Sequence, residues 1–454
     1  MNGDILLACG LLLSTASQLR IGSLPIGPGE LCLVAWLGLR VPALMLQRRL
    51  SFSPAFRRMG VFWLCLSLSL ALGTLTGLTK GEDYDPSWFL HDLMAYPLLA
   101  VVACMMVIGP QAAERLQRVA GMATDMGIVS LCLLLALGAG IVTIPGMDPW
   151  FWERFRGWSD NPNQLAVLTL GLVLIALHVV ETAQTLGRWL RGMICLVLAI
   201  WVGRLSQSDG CTFAMIGAAM IFIAVKLRVW LFLQQPKRAL RSSAAWIAVF
   251  SLPFVVAAGV PLMLSSPDTA TTLAASLEKG GGKYASQEAE LRFALWRQAL
   301  RRGLESAMLG LGPGPHLQMP SEIAADHVAG LDQRDNMQSP TQGAAANYEA
   351  HNTPLDLLTQ GGLILVIAFF WLLFVALRGV YDGRYAGLTA MLCGLTLFSL
   401  TGLIVRHPLV WFAIAICLVF GDRAAPGTAG GQSLAGPVQM SNKMAIARAK
   451  RRKA

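Results

Sequence analysis

His351 is well placed to move a proton. It stands in Glu349-Ala350-His351-Asn352-Thr353-Pro354-Leu355-Asp356, where Asn352 or Thr353 suits an N-cap and Pro354 the first helical position. An imidazole there sits just before a helix whose free amides and positive dipole end favour an anion. Its ordinary pKa lets it exchange a proton near neutrality; the alternative is a structural histidine at a membrane boundary. Arg292 and Trp296 are four residues apart in Ser286–Arg302 (SQEAELRFALWRQALRR), hence on one helix face. A guanidinium there could grip phosphate oxygens through two parallel bonds. Read alone, the same segment is also a solvated amphipathic helix lying on a membrane surface. Two shorter stretches add cations: Arg154 and Arg156 among aromatics in FWERFRGWSDNPNQ, with Asn161 and Asn163 around a proline, and Arg204 in GRLSQSDGCT. Arg204 lies where an apolar run breaks, and facing lipid at that depth costs ~2.5–3.5 kcal/mol, so it faces a cavity or snorkels. Four other histidines, His91, His178, His316 and His327, receive no role.

The elements that carry these residues are membrane helices. The chain has 454 residues, 55% hydrophobic and 14% charged, with mean hydropathy +0.57. Soluble chains carry roughly 25% charged residues, and a crossing takes ~20 apolar ones. Soluble, disordered, collagenous and disulfide-scaffold classes are excluded, leaving an all-α polytopic integral membrane protein. Apolar runs fall near 5–19, 28–46, 59–79, 88–109, 121–144, 163–182, 189–203, 211–227, 244–264, 353–377, 385–404 and 407–421, which predicts about 12 transmembrane helices. The first run reads as a span rather than a secretory leader, because Met1–Asp4 has no Lys or Arg. The nine cysteines lie mostly in apolar runs and read as small buried hydrophobes. No CxxC, HExxH or Walker A pattern occurs, so no metal, no nucleotide and no cofactor is expected.

The formal net charge of +10 reflects sidedness. Alternate connections and the tail hold 22 lysines and arginines, against 13 on the opposite side, which predicts both termini cytoplasmic. The chain then divides into an N-terminal bundle of about nine spans (1–264), a large external loop (265–352) containing an amphipathic helix at 286–302, C-terminal spans (353–421) and a disordered basic cytoplasmic tail (422–454). Loops this long are usually functional. The loop carries seven positive and ten negative residues, which argues against nucleic acid as a partner. The basic cluster of the tail can touch anionic membrane lipids.

Three matches in order resemble the O-antigen ligase and O-antigen polymerase superfamily of bacterial inner-membrane glycan transferases. Arg156-Gly157 with Asn161-Pro162-Asn163-Gln164-Leu165-Ala166 is similar to the family's R-G…N-P-N-x-L-A. Arg292-Phe-Ala-Leu-Trp296 with Gly310-Leu-Gly-Pro-Gly314 is similar to R-x-x-x-W…G-x-G-x-G. His351-Asn352 with Leu355, Leu358 and Gly361 is similar to H-N-x-x-L-x-x-L-x-x-G. The resemblance covers roughly residues 150 to 420. One departure is Ser208-Asp209, where the family often has Ser-Arg; Arg204 is the cation at hand. The resemblance implies an undecaprenyl-diphosphate-linked glycan donor, a glycan or lipid A-core acceptor, and inverting, metal-independent transfer at the periplasmic face of the inner membrane, for lipopolysaccharide or exopolysaccharide. His351 and Arg292 would be catalytic, with Arg292, Arg204 and Arg156 on the diphosphate and Asn161, Asn163, Trp296 and Asn352 supporting. A secondary transporter or lipid-glycan flippase, and a non-catalytic assembly component, are the alternatives.

Overall fold

The computed structural model describes residues 2–20, 26–47, 52–84, 86–151, 153–234, 282–318 and 348–424. The apolar run at 244–264, most of the large loop with His327, and the tail beyond 424 lie outside the described residues. Twelve α-helices are described: α1 Asn2–Leu13, α2 Pro28–Gln47, α3 Pro54–Lys80, α4 Pro86–Val107, α5 Ala112–Gly138, α6 Pro162–Glu181, α7 Leu186–Leu205, α8 Asp209–Gln234, α9 Gly282–Glu305, α10 Thr353–Asp382, α11 Ala386–Ser399 and α12 Pro408–Ala424. Among the described residues, eight of these are long and apolar enough to cross a membrane, while α1 and α11 are shorter apolar helices. The chain is therefore a polytopic helical membrane protein; the count of twelve spans goes beyond these eight.

Local sequence explains where the helices start and stop. Ser53 caps α3 by accepting from the Phe56 amide at 3.1 Å, with Pro54 behind it. Asn161 accepts from the Asn163 amide at 2.8 Å and opens α6 before Pro162. Asn352 accepts from the Leu355 amide at 3.3 Å and opens α10. Several helices outrun the apolar runs that announced them. Arg57, Arg58, Arg115, Arg118, Arg188 and Arg228, outside the apolar runs, all lie on helical turns; exposed arginines of this kind reach headgroup level from within a helix, whereas Arg115 is buried on carbonyls at the end of α4.

Burial separates two classes of helix. The apolar window of α6 is 78% buried, whereas the other seven candidate spans reach at most 39%. In α12 every residue from Pro408 to Gly421 is buried. A helix apolar on all sides belongs inside a bundle, and α6 and α12 are its centre. Around them, α3, α7 and α10 expose Leu64, Leu68, Ile194, Val197, Ile364 and Ile367, the face a bilayer would cover. An aromatic knot joins layers: Trp63 meets Trp411 at 4.4 Å between ring centroids and Phe62 meets Trp411 at 5.1 Å.

The helix α10 is broken. Gly362 has φ 72° and ψ −168°, a backbone state essentially confined to glycine. The freed carbonyls of Thr359 and Gln360 accept from the Leu311 and Gly312 amides at 2.7 and 2.8 Å, and Leu363 donates to the Met308 carbonyl at 2.9 Å. The glycine-rich loop after α9 thus supplies the hydrogen bonds that the break removes. It reaches that depth because α3 presents glycine there: a Cβ on Gly73 would stand 2.7 Å from the Gly312 amide, the close approach small residues permit.

Candidate functional site

A cavity of about 650 Å³ opens at the end of the bundle where α2, α6, α10 and α12 begin. Its lower wall is apolar, with Leu33, Val34, Leu98, Leu99 and Phe398. Its polar residues come from five places in the chain: Arg20 and Glu30 around the start of α2, Trp88 and His91 on α4, Asn161 and Asn163 at α6, Glu349 and His351 before α10, and Arg406 and His407 before α12.

His351 lies in the left-handed region, at φ 50°, which histidine enters more readily than most residues. The amides on either side of it hold it there. Asp356, buried on the first turn of α10, accepts from the Ala350 amide at 2.7 Å and from the Asn352 amide at 3.1 Å. The Asn352 side chain donates to the Leu400 carbonyl at 3.0 Å, and Thr353 Oγ1 donates to the Gly402 carbonyl at 2.6 Å. The turn carrying His351 is thereby tied to the turn that leads to Arg406.

Arg406 is the charge centre of the cavity wall. One terminal nitrogen donates to Asp92 Oδ2 at 2.6 Å and the other to Glu349 Oε1. Burial opposes the charge, but Glu349 and Asp92 hold the guanidinium well above its ordinary pKa. Asp92 is fully buried and also accepts from the Gly314 amide at 2.9 Å; His91 Nδ1 lies 3.3 Å from its other oxygen. One carboxylate therefore joins α4, the glycine loop and the turn before α12. His407 lines the same cavity.

The predicted residues are distributed unevenly. His351, Asn161 and Asn163 line the cavity. Asn352 is buried just behind it as the cap of α10. Trp296 donates from Nε1 to the Ala350 carbonyl at 2.9 Å, which docks α9 beside His351; Arg292 is half-buried one turn earlier on α9 and is not among the lining residues. Arg156 donates to the Asp148 carbonyl at 2.9 Å and the Asp160 carbonyl at 3.3 Å, fastening the loop before α6. Its neighbour Arg154 reaches Asn163 Oδ1 at 3.3 Å and the Ser206 carbonyl at 3.1 Å. Arg204 is exposed on the last turn of α7 and donates to Thr212 Oγ1 at 3.0 Å. Sequence reasoning gave no role to Arg406, Asp92, Glu349 or Asp356. An acid inside an apolar run was the available signal for Asp92.

Residues 194–370 match the model of the O-Antigen ligase family, a stretch that contains Arg292, the glycine loop and His351. The match supports the resemblance to the O-antigen ligase and polymerase superfamily at two of its three motifs, Arg292–Gly314 and His351–Gly361, while the Arg156–Ala166 motif lies before the matched stretch. The family implies a glycosyltransferase-like membrane enzyme with a lipid-linked glycan donor and a glycan acceptor. No curated protein matches the chain.

Proposed function

We propose that this chain, with its O-antigen ligase region at 194–370, transfers or polymerises an undecaprenyl-diphosphate-linked glycan onto a sugar hydroxyl at the periplasmic face of a bacterial inner membrane. The observation that carries the reading is the cavity, apolar below and polar at its rim, with His351 on its wall. The prenyl chain would lie along the Leu33, Leu98 and Leu99 wall, with the diphosphate at the level of Asn161 and Arg20. His351 would take the proton of the acceptor hydroxyl as its oxygen bonds the anomeric carbon. The bond from that carbon to the diphosphate oxygen breaks on the opposite face, which inverts the configuration, and undecaprenyl diphosphate leaves.

Arginine cations, rather than a metal, would take up the departing charge. Arg292 belongs to this role through α9, whose Trp296 is hydrogen-bonded beside His351. Arg20 lines the cavity with no ion pair among the described residues. Arg156 and Arg204, engaged elsewhere, would contribute through the loops they fasten. Asp209 in place of the family's arginine suits a polymerase of exopolysaccharide as well as a ligase onto lipid A-core.

Separate His351→Ala and Arg292→Ala variants test the reading in cells. Each should abolish surface glycan while the protein still inserts, a loss of about 10²-fold or more in transfer. Unchanged glycan profiles for both would remove the proposal. Ion-gradient-driven uptake by reconstituted vesicles without glycosyl transfer would replace it with a transporter.

A further inference from the structure

A second cavity, of about 250 Å³, lies at the opposite end of the bundle from His351, between α2 and the start of α5. Three arginines line it, Arg40, Arg115 and Arg118, against one acid, Asp4. Asp4 is spent on Arg118, whose Nε donates to it at 2.9 Å. Arg115 is 5% exposed and uses one terminal nitrogen on the Met106 and Ile108 carbonyls, at 2.7 and 2.9 Å. Arg40 reaches the Ile108 carbonyl only at 3.4 Å. The Nε atoms of both Arg40 and Arg115 are buried with no hydrogen-bond partner among the described residues. Capping of α4 therefore accounts for part of Arg115 and leaves a desolvated donor over. The start of α5 borders the cavity through Gln111, which makes no side-chain capping bond; the acid of that first turn, Glu114, is paired with Arg423 at 2.7 Å and is not among the lining residues.

The remaining walls are apolar, from Trp36, Leu39 and Ala43. Leu39 and Leu46, further along α2, are exposed and continue that surface along the lipid-facing side. From these features we infer that the cavity binds the phosphate of an anionic phospholipid in the leaflet opposite the catalytic face, with its acyl chain against α2. Beyond the Arg118–Asp4 pair the lining keeps two more guanidiniums, Arg40 and Arg115, for a net positive charge that favours an anion; a guanidinium suits phosphate oxygens, and basic pockets between membrane helices hold lipid headgroups in this way.

Native mass spectrometry of the detergent-released full chain, titrated with phosphatidylglycerol or phosphatidylcholine, tests the assignment. Wild-type protein should retain phosphatidylglycerol in preference. Arg40→Gln with Arg118→Gln should lower that retention roughly 25-fold, at about fivefold per arginine, while Arg191→Gln, outside the cavity, leaves it unchanged. Should the double variant not fold, Ala43→Trp fills the cavity without touching an arginine and should also lose the lipid. Equal retention of both lipids, or undiminished phosphatidylglycerol in a folded cavity variant, overturns the site. Thermal stabilisation by inorganic phosphate equal to that by phosphatidylglycerol overturns the headgroup assignment in favour of a free anion.

Discussion

Arg406 bridges Asp92 and Glu349 across the cavity wall while its Nε is buried with no hydrogen-bond partner among the described residues. Such a pair adds little over a well-packed apolar substitute, but removing one member strands the other, at roughly 3–5 kcal/mol. Arg406→Ala should therefore lower thermal stability in detergent by an amount of that order, since among the described residues Asp92 keeps only the Gly314 amide and His91. Adding Asp92→Asn should recover part of the loss, because the stranded charge is then gone; a double variant no more stable than the single one would contradict the account. This is also where sequence reading fell short. His351 was legible because Asn352 and Pro354 announce a helix start beside it. Arg406 follows an apolar run in a short turn, and nothing adjacent to it names Asp92, 314 residues away in the chain, as its partner.

At the scale of elements, the break in α10 and the loop that heals it form one device. The apolar run at 353–377 reads as continuous, and a glycine pair inside it does not by itself announce a left-handed residue. The Gly310-Leu-Gly-Pro-Gly314 turn was legible, but not its purpose, because that depends on backbone atoms of Thr359 and Gln360. A Cβ at Gly362 would collide with the Met308 carbonyl and stand 2.6 Å from the Leu309 carbonyl carbon. Gly362→Ala should cost more than the roughly 1–2 kcal/mol of a left-handed alanine alone and lower the folded yield. Gly81→Ala, with φ 69° but open space around it, should cost only that conformational amount; equal losses for the two would refute the device. The same loop buries His316, whose Nε2 meets the Gly312 carbonyl at 2.8 Å. Burial, and after it Arg302, push this imidazole down to about 4. The unfolded chain therefore takes up a proton near its ordinary pKa of 6.5 that the fold refuses. The contribution is complete above that pH and shrinks as pH falls toward 4, by about 3 kcal/mol in all. A thermal-stability series should show His316→Gln flattening the decline between pH 6.5 and 4; parallel curves would contradict it.

At the scale of the whole molecule, hydropathy runs located the helices well, because length and apolarity are local properties of a sequence. Which helices sit at the centre was not legible: α6 and α12 are apolar like their neighbours, and only packing distinguishes them. The polar ends gather where the runs alone could not say, around a cavity drawn from five separated segments. The central claim is that this cavity receives the lipid-linked donor. Photo-crosslinking of the reconstituted protein with a diazirine-bearing undecaprenyl-diphosphate glycan, followed by peptide mapping, measures that directly. Adducts should concentrate in residues 88–99, 161–167 and 398–408, with excess unlabelled donor suppressing them. Adducts confined to the opposite end, around residues 117–125 and 188–191, would contradict the account.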